Sequence, residues 1–419
     1  MDSRERVIAA IEHRQPDRVP VDFGGTPVTG IMASVVSGLR QALGLDRPGT
    51  PVKVVEPYQM LGEIGPDLRE ALGIDTVPLT NRTNMFGFEN AGWKPWRLFD
   101  GTNVLVPALF NTEPDSRGDI LQYPMGNRNA PPSGRMPRGG YYFDAIVRQP
   151  PIDEDNLSVE DNLEEFGPVS DADLEHWRRE SEYLRRNTSR AVVAWFGGTS
   201  FGDIALVPAV QLEHPKGIRD IEEWYVSLAI RKGYVYEVFE RQCEIGLRNL
   251  ELIRQAVLDN VDVVGVTGTD FGTQRGPLIS VDTYRELFKP FHKKVNDWIH
   301  ANTRWKTFMH SCGGVEPLVE DFIEAGFDIL NPVQTSAKDM EPAGLKAKYG
   351  GRITFWGGGV ATQKTLPFGT PEEVRQEVKE NLKVFSKGGG YVFNAIHNIQ
   401  AGTPIENVVA MFEALKEYR

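Results

Sequence analysis

Trp305-Lys306-Thr307-Phe308-Met309-His310-Ser311-Cys312-Gly313-Gly314 is followed by Val315-Glu316-Pro317-Leu318-Val319-Glu320-Asp321-Phe322-Ile323-Glu324-Ala325. The first half is a short apolar run, Trp305–Met309, that ends in polar residues and glycine. The second half mixes charged and apolar residues with a helical period. The same unit recurs along the chain. Apolar runs lie at Ala191–Phe196, Val261–Val266, Phe327–Leu330, Ile353–Trp356 and Tyr391–Ile396, and helical stretches at Tyr234–Asp259, Val281–Ala301, Pro371–Lys387 and Pro404–Tyr418. Both faces of each run are largely apolar, as in parallel strands covered by helices, and this alternation implies right-handed βαβ units. Ser280 and Thr370 stand where N-caps belong, the second followed by Pro371 and two glutamates. With Val19–Phe23 and Val52–Val55 the runs make eight, which predicts an α/β chain folded as a (β/α)8 TIM barrel.

A chain of 419 residues has room for two or three domains, or for one decorated barrel. Residues 87–161 account for the surplus: they hold nine prolines, many glycines and the aromatics Trp93, Trp96, Phe99, Tyr123, Tyr141, Tyr142 and Phe143. A flexible linker is poorer in aromatics, so the segment reads as an ordered insertion within a single domain over residues 1–419. It is either a wall or lid, or a small packing unit.

Charge and composition narrow the function. Acidic residues outnumber basic ones 58 to 46, a net charge of −12, which disfavours a nucleic-acid-binding face. Two cysteines cannot build a disulfide framework, and no stretch has the length of a signal peptide or an 18-residue apolar span. A cytoplasmic chain acting on small molecules, with no membrane and no nucleic acid, is expected; self-association into a homodimer stays open. The glycine runs Gly357–Gly359 and Gly388–Gly390 lack the spacing of phosphate-binding loops and read as a strand-end turn and a helix C-cap.

Barrel active sites lie where the strands end. Residues i and i+2 of a strand share a face, about 6 to 7 Å apart, so His310 and Cys312 both point into the mouth. An imidazole nitrogen and a sulfur on one face are two legs of a tetrahedral zinc site; the alternative is a buried cysteine beside a hydrogen-bonded histidine. His397 closes the last strand at the same end and supplies a third leg, leaving the fourth position open as catalytic zinc requires. His13, His176, His214, His292 and His300 fall in helices or loops, where surface roles are expected, and Cys243 is a partly buried, inert helix thiol. Asp203, Asp270, Gln274, Asn331, Gln334 and Gln363 close neighbouring strands. They are candidates to orient substrate or metal, or else they cap helices and bridge loops. Arg275 is either a site for a substrate carboxylate or an exposed surface residue.

Several of these stretches, together with Ser3–Val7, Pro16–Pro20, Asp328–Gln334 and Gly369–Val374, resemble the uroporphyrinogen decarboxylase superfamily. They are most similar to its zinc-dependent corrinoid methyltransferases and O-demethylases. The resemblance covers the first 80 residues and the region from Arg190 onward, and fades across the insertion. The decarboxylases carry an Arg-Gln-Ala-Gly-Arg loop for the carboxylates of a porphyrinogen; here the matching stretch reads Val19-Pro20-Val21-Asp22-Phe23-Gly24-Gly25-Thr26. A mouth ending in Asp22, Glu56, Asp203 and Asp270 also suits a polycarboxylate poorly.

The methyltransferase branch implies a His-x-Cys pair plus a third ligand, usually cysteine, where this chain has His397. One thiolate fewer makes a bound zinc a harder Lewis acid, better matched to oxygen than to sulfur. The alternative leaves His397 as a hydrogen-bonding residue, with Asp270 or Asp203 on the metal. What the resemblance implies is methyl transfer from a small methyl ether to a cobalt(I) corrinoid carried on a partner protein. His310, Cys312 and His397 would hold zinc, Asp270 would serve catalysis, and Asp203, Gln274, Asn331, Gln334 and Gln363 would bind substrate. Tetrapyrrole decarboxylation and methyl transfer to a thiol are the other readings.

Overall fold

A computed structural model describes residues 1–419. Seven parallel strands form one sheet in chain order: β1 (Thr76–Leu79), β2 (Ala191–Ala194), β3 (Val263–Thr267), β4 (Lys306–His310), β5 (Ile329–Asn331), β6 (Thr354–Trp356) and β7 (Tyr391–Val392). The segment around Val21 takes the eighth position. Val21 bridges Phe393 in parallel; Asp22 N donates to Phe393 O at 2.9 Å, Phe393 N to Pro20 O at 2.8 Å, and on the other side Asp75 N donates to Val21 O at 2.7 Å. The sheet therefore closes on itself and leaves no open edge.

Val52–Val55 is not one of the barrel strands. Strand Val52–Glu56 pairs with Leu61–Gly62 and Asn103–Val106 in a four-stranded sheet outside the barrel, and Thr76–Leu79 fills the place assigned to it. The exchange has a physical cause. Thr76-Val77-Pro78-Leu79 reads poorly as a central strand because Pro78 has no N–H to give a ladder, yet Pro78 sits opposite Val193. Thr76 is buried because its hydroxyl donates to the buried Asp22 carboxylate at 2.5 Å.

The inward residues of the strands make a core of their own: Ala191, Val193, Val263, Phe308, Ile329, Trp356 and Val392. Helix α1 (Ser3–Ile11), capped by Asp2, lays Val7 and Ile11 against this core and closes the floor of the barrel. A larger apolar layer lies between the strands and the outer helices, among them α2 (Ile221–Ile230), α3 (Lys232–Val257), α4 (Glu316–Glu324), α5 (Pro371–Phe385) and α6 (Ile405–Tyr418). Ser280 and Thr370 both cap their helices, Thr370 in a reciprocal capping box with Glu373. No helix is long and apolar enough to cross a membrane.

Within residues 87–161, strands Lys94–Arg97 and Asn103–Val106 extend the outer sheet, and Ile120–Gln122, Gly134–Met136 and Asp144–Ala145 form a second small antiparallel sheet. Phe143 is buried edge-on against Phe86 and Phe110, and its N–H donates to Tyr58 O at 2.8 Å. Arg148 reaches across to the carbonyls of Ala209 and Leu212.

Two side chains lie deeper than expected. His292 has no surface role: it is fully buried among Phe201, Phe271, Phe288 and Phe327, bonded to the Tyr284 hydroxyl at 3.0 Å, with burial pushing its pKa down to about 3. Cys243 is wholly rather than partly buried, and burial raises its thiol to about 11, in keeping with an inert group.

Candidate metal centre

Phe308 points into the barrel core, so His310, two residues on, points the same way at the top of β4. His310 is buried, and its Nε2 lies 3.4 Å from the Cys312 sulfur. The ring of His397, in the loop after β7, stands 5.3 Å from the His310 ring, nearly perpendicular to it. One donor atom from each of His310, Cys312 and His397 lies within 4.8 Å of the others. A tetrahedral ion with bonds of about 2.0 to 2.3 Å holds its ligand atoms roughly 3.3 to 3.8 Å apart, so the three close on one ion with a shift of about 1 Å. The donor set, two nitrogens and one sulfur, fits zinc and leaves one side free.

The hydrogen bonds around His310 set its tautomer. Asn331 Nδ2 donates to Trp356 O at 2.8 Å, which turns the amide oxygen toward His310 Nδ1, 2.7 Å away. That oxygen can only accept, so Nδ1 carries the hydrogen and Nε2 presents its lone pair to the cluster. Burial lowers both His310 and His397 to about 4, so both imidazoles are neutral near pH 7. Burial, then the nearby Asp270 carboxylate, pushes the Cys312 thiol well up. A bound cation is what would hold it as thiolate.

The other candidates lie at different distances from the cluster. Asp270 lies beside the cluster, with Oδ1 3.9 Å from His310 Nε2 and 2.6 Å from the Cys312 N–H that it accepts. Asn331 lies beside His310, its register partner on the neighbouring strand. Gln334 accepts the Gly313 N–H at 2.7 Å, whereas Gln274 and Gln363 are exposed and bonded to each other at 2.8 Å across the mouth. Asp203 is buried, accepts Ala205 N, and is raised to about 7 by burial and then by the Asp270 charge. Arg275 is exposed. Sequence reasoning did not single out Tyr225, whose hydroxyl donates to Asp270 O at 3.2 Å, or Ser311, whose Oγ accepts Phe271 N at 2.8 Å. Neither has a signal in its local pattern, because both partners come from other loops.

Residues 245–418 match the uroporphyrinogen decarboxylase (URO-D) family. The uroporphyrinogen decarboxylase of Psychromonas ingrahamii is 36% identical over 78 residues, 19% of this chain and 21% of that protein. The methylcobamide:CoM methyltransferase MtaA of Methanosarcina barkeri is 26% identical over 173 residues, 40% of this chain and 48% of that protein. These alignments thus span between about a fifth and about half of the curated relatives' length. Among solved structures, a methyltransferase from Methanosarcina mazei superposes with a TM-score of 0.55 at 17% identity over 100% of this chain and 99% of its own, which shows the shared barrel fold. The matched segment contains β3 to β7, and with them all three cluster residues.

Proposed function

We propose that this chain is a zinc-dependent methyltransferase of the uroporphyrinogen decarboxylase superfamily that moves a methyl group from a small methyl ether, such as a methoxylated aromatic, to a cobalt(I) corrinoid carried on a partner protein. The observation that carries the proposal is the convergence of His310, Cys312 and His397 at the barrel mouth with one side free. The likeness to a methylcobamide:CoM methyltransferase supports the methyl-transfer chemistry. Held there, zinc supplies Lewis acidity toward a substrate oxygen, the atom that departs when the methyl group leaves.

The chain's own residues do the rest. Asn331 fixes the His310 tautomer, and the packed barrel core beneath keeps water from reaching the cluster from below. Asp270 lies close enough to the cluster to meet a substrate on its free side, and Gln274, Gln334 and Gln363 border the mouth where substrate enters. No side chain need act as nucleophile, because the corrinoid accepts the methyl carbon directly. One thiolate among three ligands favours an oxygen leaving group over the thiol exchange of coenzyme M enzymes. The stretch Val19–Thr26, which holds no arginine, counts against an octa-acidic tetrapyrrole.

Metal analysis of the purified protein tests the centre. About one zinc per chain is expected, lost in His310→Ala and in Cys312→Ala; full retention in both variants contradicts the site. His397→Ala is read separately. Lower metal content assigns His397 as the third ligand, and full metal content with lost activity removes it from the ligand set.

A further inference from the structure

We infer that Asp270 and Gln334 are positioning residues that hold the Cys312 sulfur between His310 and His397 by taking the N–H groups of the peptide that carries it. The inference rests on the metal-centre reading above. Four successive N–H groups follow the end of β4, and each has an acceptor brought in by a neighbouring loop. Ser311 N donates to Asn331 O at 2.7 Å and Gly314 N to Thr273 O at 2.8 Å. Between them, Cys312 N donates to Asp270 Oδ1 at 2.6 Å and Gly313 N to Gln334 Oε1 at 2.7 Å. The outer two acceptors are main-chain carbonyls that any sequence with this fold presents. The inner two are side chains, and they bracket the peptide on either side of the Cys312 α-carbon.

Asp270 comes from the loop after β3 and Gln334 from the loop after β5, so the cysteine is slung between the two loops that flank its own. Gln334 is buried, and its Nε2 faces Gln363 Oε1 at 3.5 Å, which keeps its oxygen turned toward Gly313. Because these N–H groups are spent on protein oxygens, none is left to point at the sulfur. The brace therefore fixes where the thiol stands and does not ionise it. Without the two acceptors, two backbone donors lose their partners, and the peptide before Gly313, which sits at φ +88°, is free to turn and carry the sulfur off the cluster.

Zinc affinity of the full-length protein, measured by competition with a chromophoric chelator, reads the effect. Asp270→Ala and Gln334→Ala should weaken zinc about 10- to 100-fold, the range for groups that orient metal ligands, while Asp270→Asn and Gln334→Glu, which keep an acceptor oxygen, should stay within about 3-fold. Alkylation of Cys312 in the metal-free protein, followed by peptide mass spectrometry, is the second readout; Gln334→Ala changes no charge and should speed labelling. Wild-type affinity and labelling in both alanine variants would overturn the proposal, as would an Asp270→Asn loss equal to that of Asp270→Ala. If the wild type takes up no zinc, the metal-centre reading fails and the labelling rates still decide the brace. If His310→Ala loses zinc while both alanine variants keep it and label normally, the brace alone fails.

Discussion

Asp203 is a carboxyl in a place that penalises its charge, and this gives the protein a pH signature. Its folded pKa of about 7 lies above the ordinary 3.8, so the folded chain holds a proton that the unfolded chain has released. The stability this contributes is fully present below pH 3.8 and is lost as pH rises through 7. Glu56, raised from 4.5 to about 7 by burial, acts in the same direction. His292 works on the acid side: its folded pKa of about 3 lies below 6.5, so its contribution is present above pH 6.5 and is lost as pH falls toward 3. Replacing Asp203 by Asn should flatten the decline of Tm between pH 5 and pH 8, by raising the value at pH 8 more than at pH 5. Equal shifts at both pH values would contradict the burial account. The shared placement of His310 and Cys312 is legible in the sequence, because alternation along one strand is a local rule. His292 was misplaced because its burial depends on aromatic side chains spread from Phe201 to Phe327.

The elements around the cysteine meet without clearance. A Cβ on Gly313 would stand 2.3 Å from the carbonyl carbon of Gly272, and a Cβ on Gly272 would stand 2.6 Å from Cys312 O. Gly313 also adopts φ +88°, so it is glycine for two independent reasons. Gly313→Ala should destabilise the fold by at least about 1 kcal/mol through backbone strain and lower zinc content with it, as urea unfolding and metal analysis would show. Unchanged unfolding would mean that the two loops part more easily than their packing implies. Strand ends and helix caps were readable because each rests on neighbours in sequence; Thr370, Pro371 and Glu373 spell a helix start before any folding is considered. The exchange of Val52–Val55 for Thr76–Leu79 was not readable. The strand with a proline is tied into the barrel by Thr76, whose hydroxyl meets Asp22, 54 positions away. The hydrogen bonds to the Cys312 peptide have no local signal either, since their acceptors lie 42 and 21 positions from the donors.

The whole molecule is a closed barrel with its floor sealed by α1 and its chemistry-bearing residues at the opposite end. Residues 87–161 connect to the His397 side through a short chain of contacts: Asn398, next to His397, donates to Gln59 at 2.7 Å, and the adjacent Tyr58 packs on Phe86 and accepts the Phe143 N–H. We propose that this layer is the wall of the substrate cavity, and that the mouth it leaves open is where a corrinoid protein docks. The central claim is methyl transfer from an ether oxygen to cobalt. Incubating the zinc-loaded protein with a cobalt(I) corrinoid and a panel of methoxylated aromatics should produce methyl-cobalt absorbance with at least one ether, and none with His310→Ala. No methylation from any ether, together with conversion of uroporphyrinogen, would contradict it.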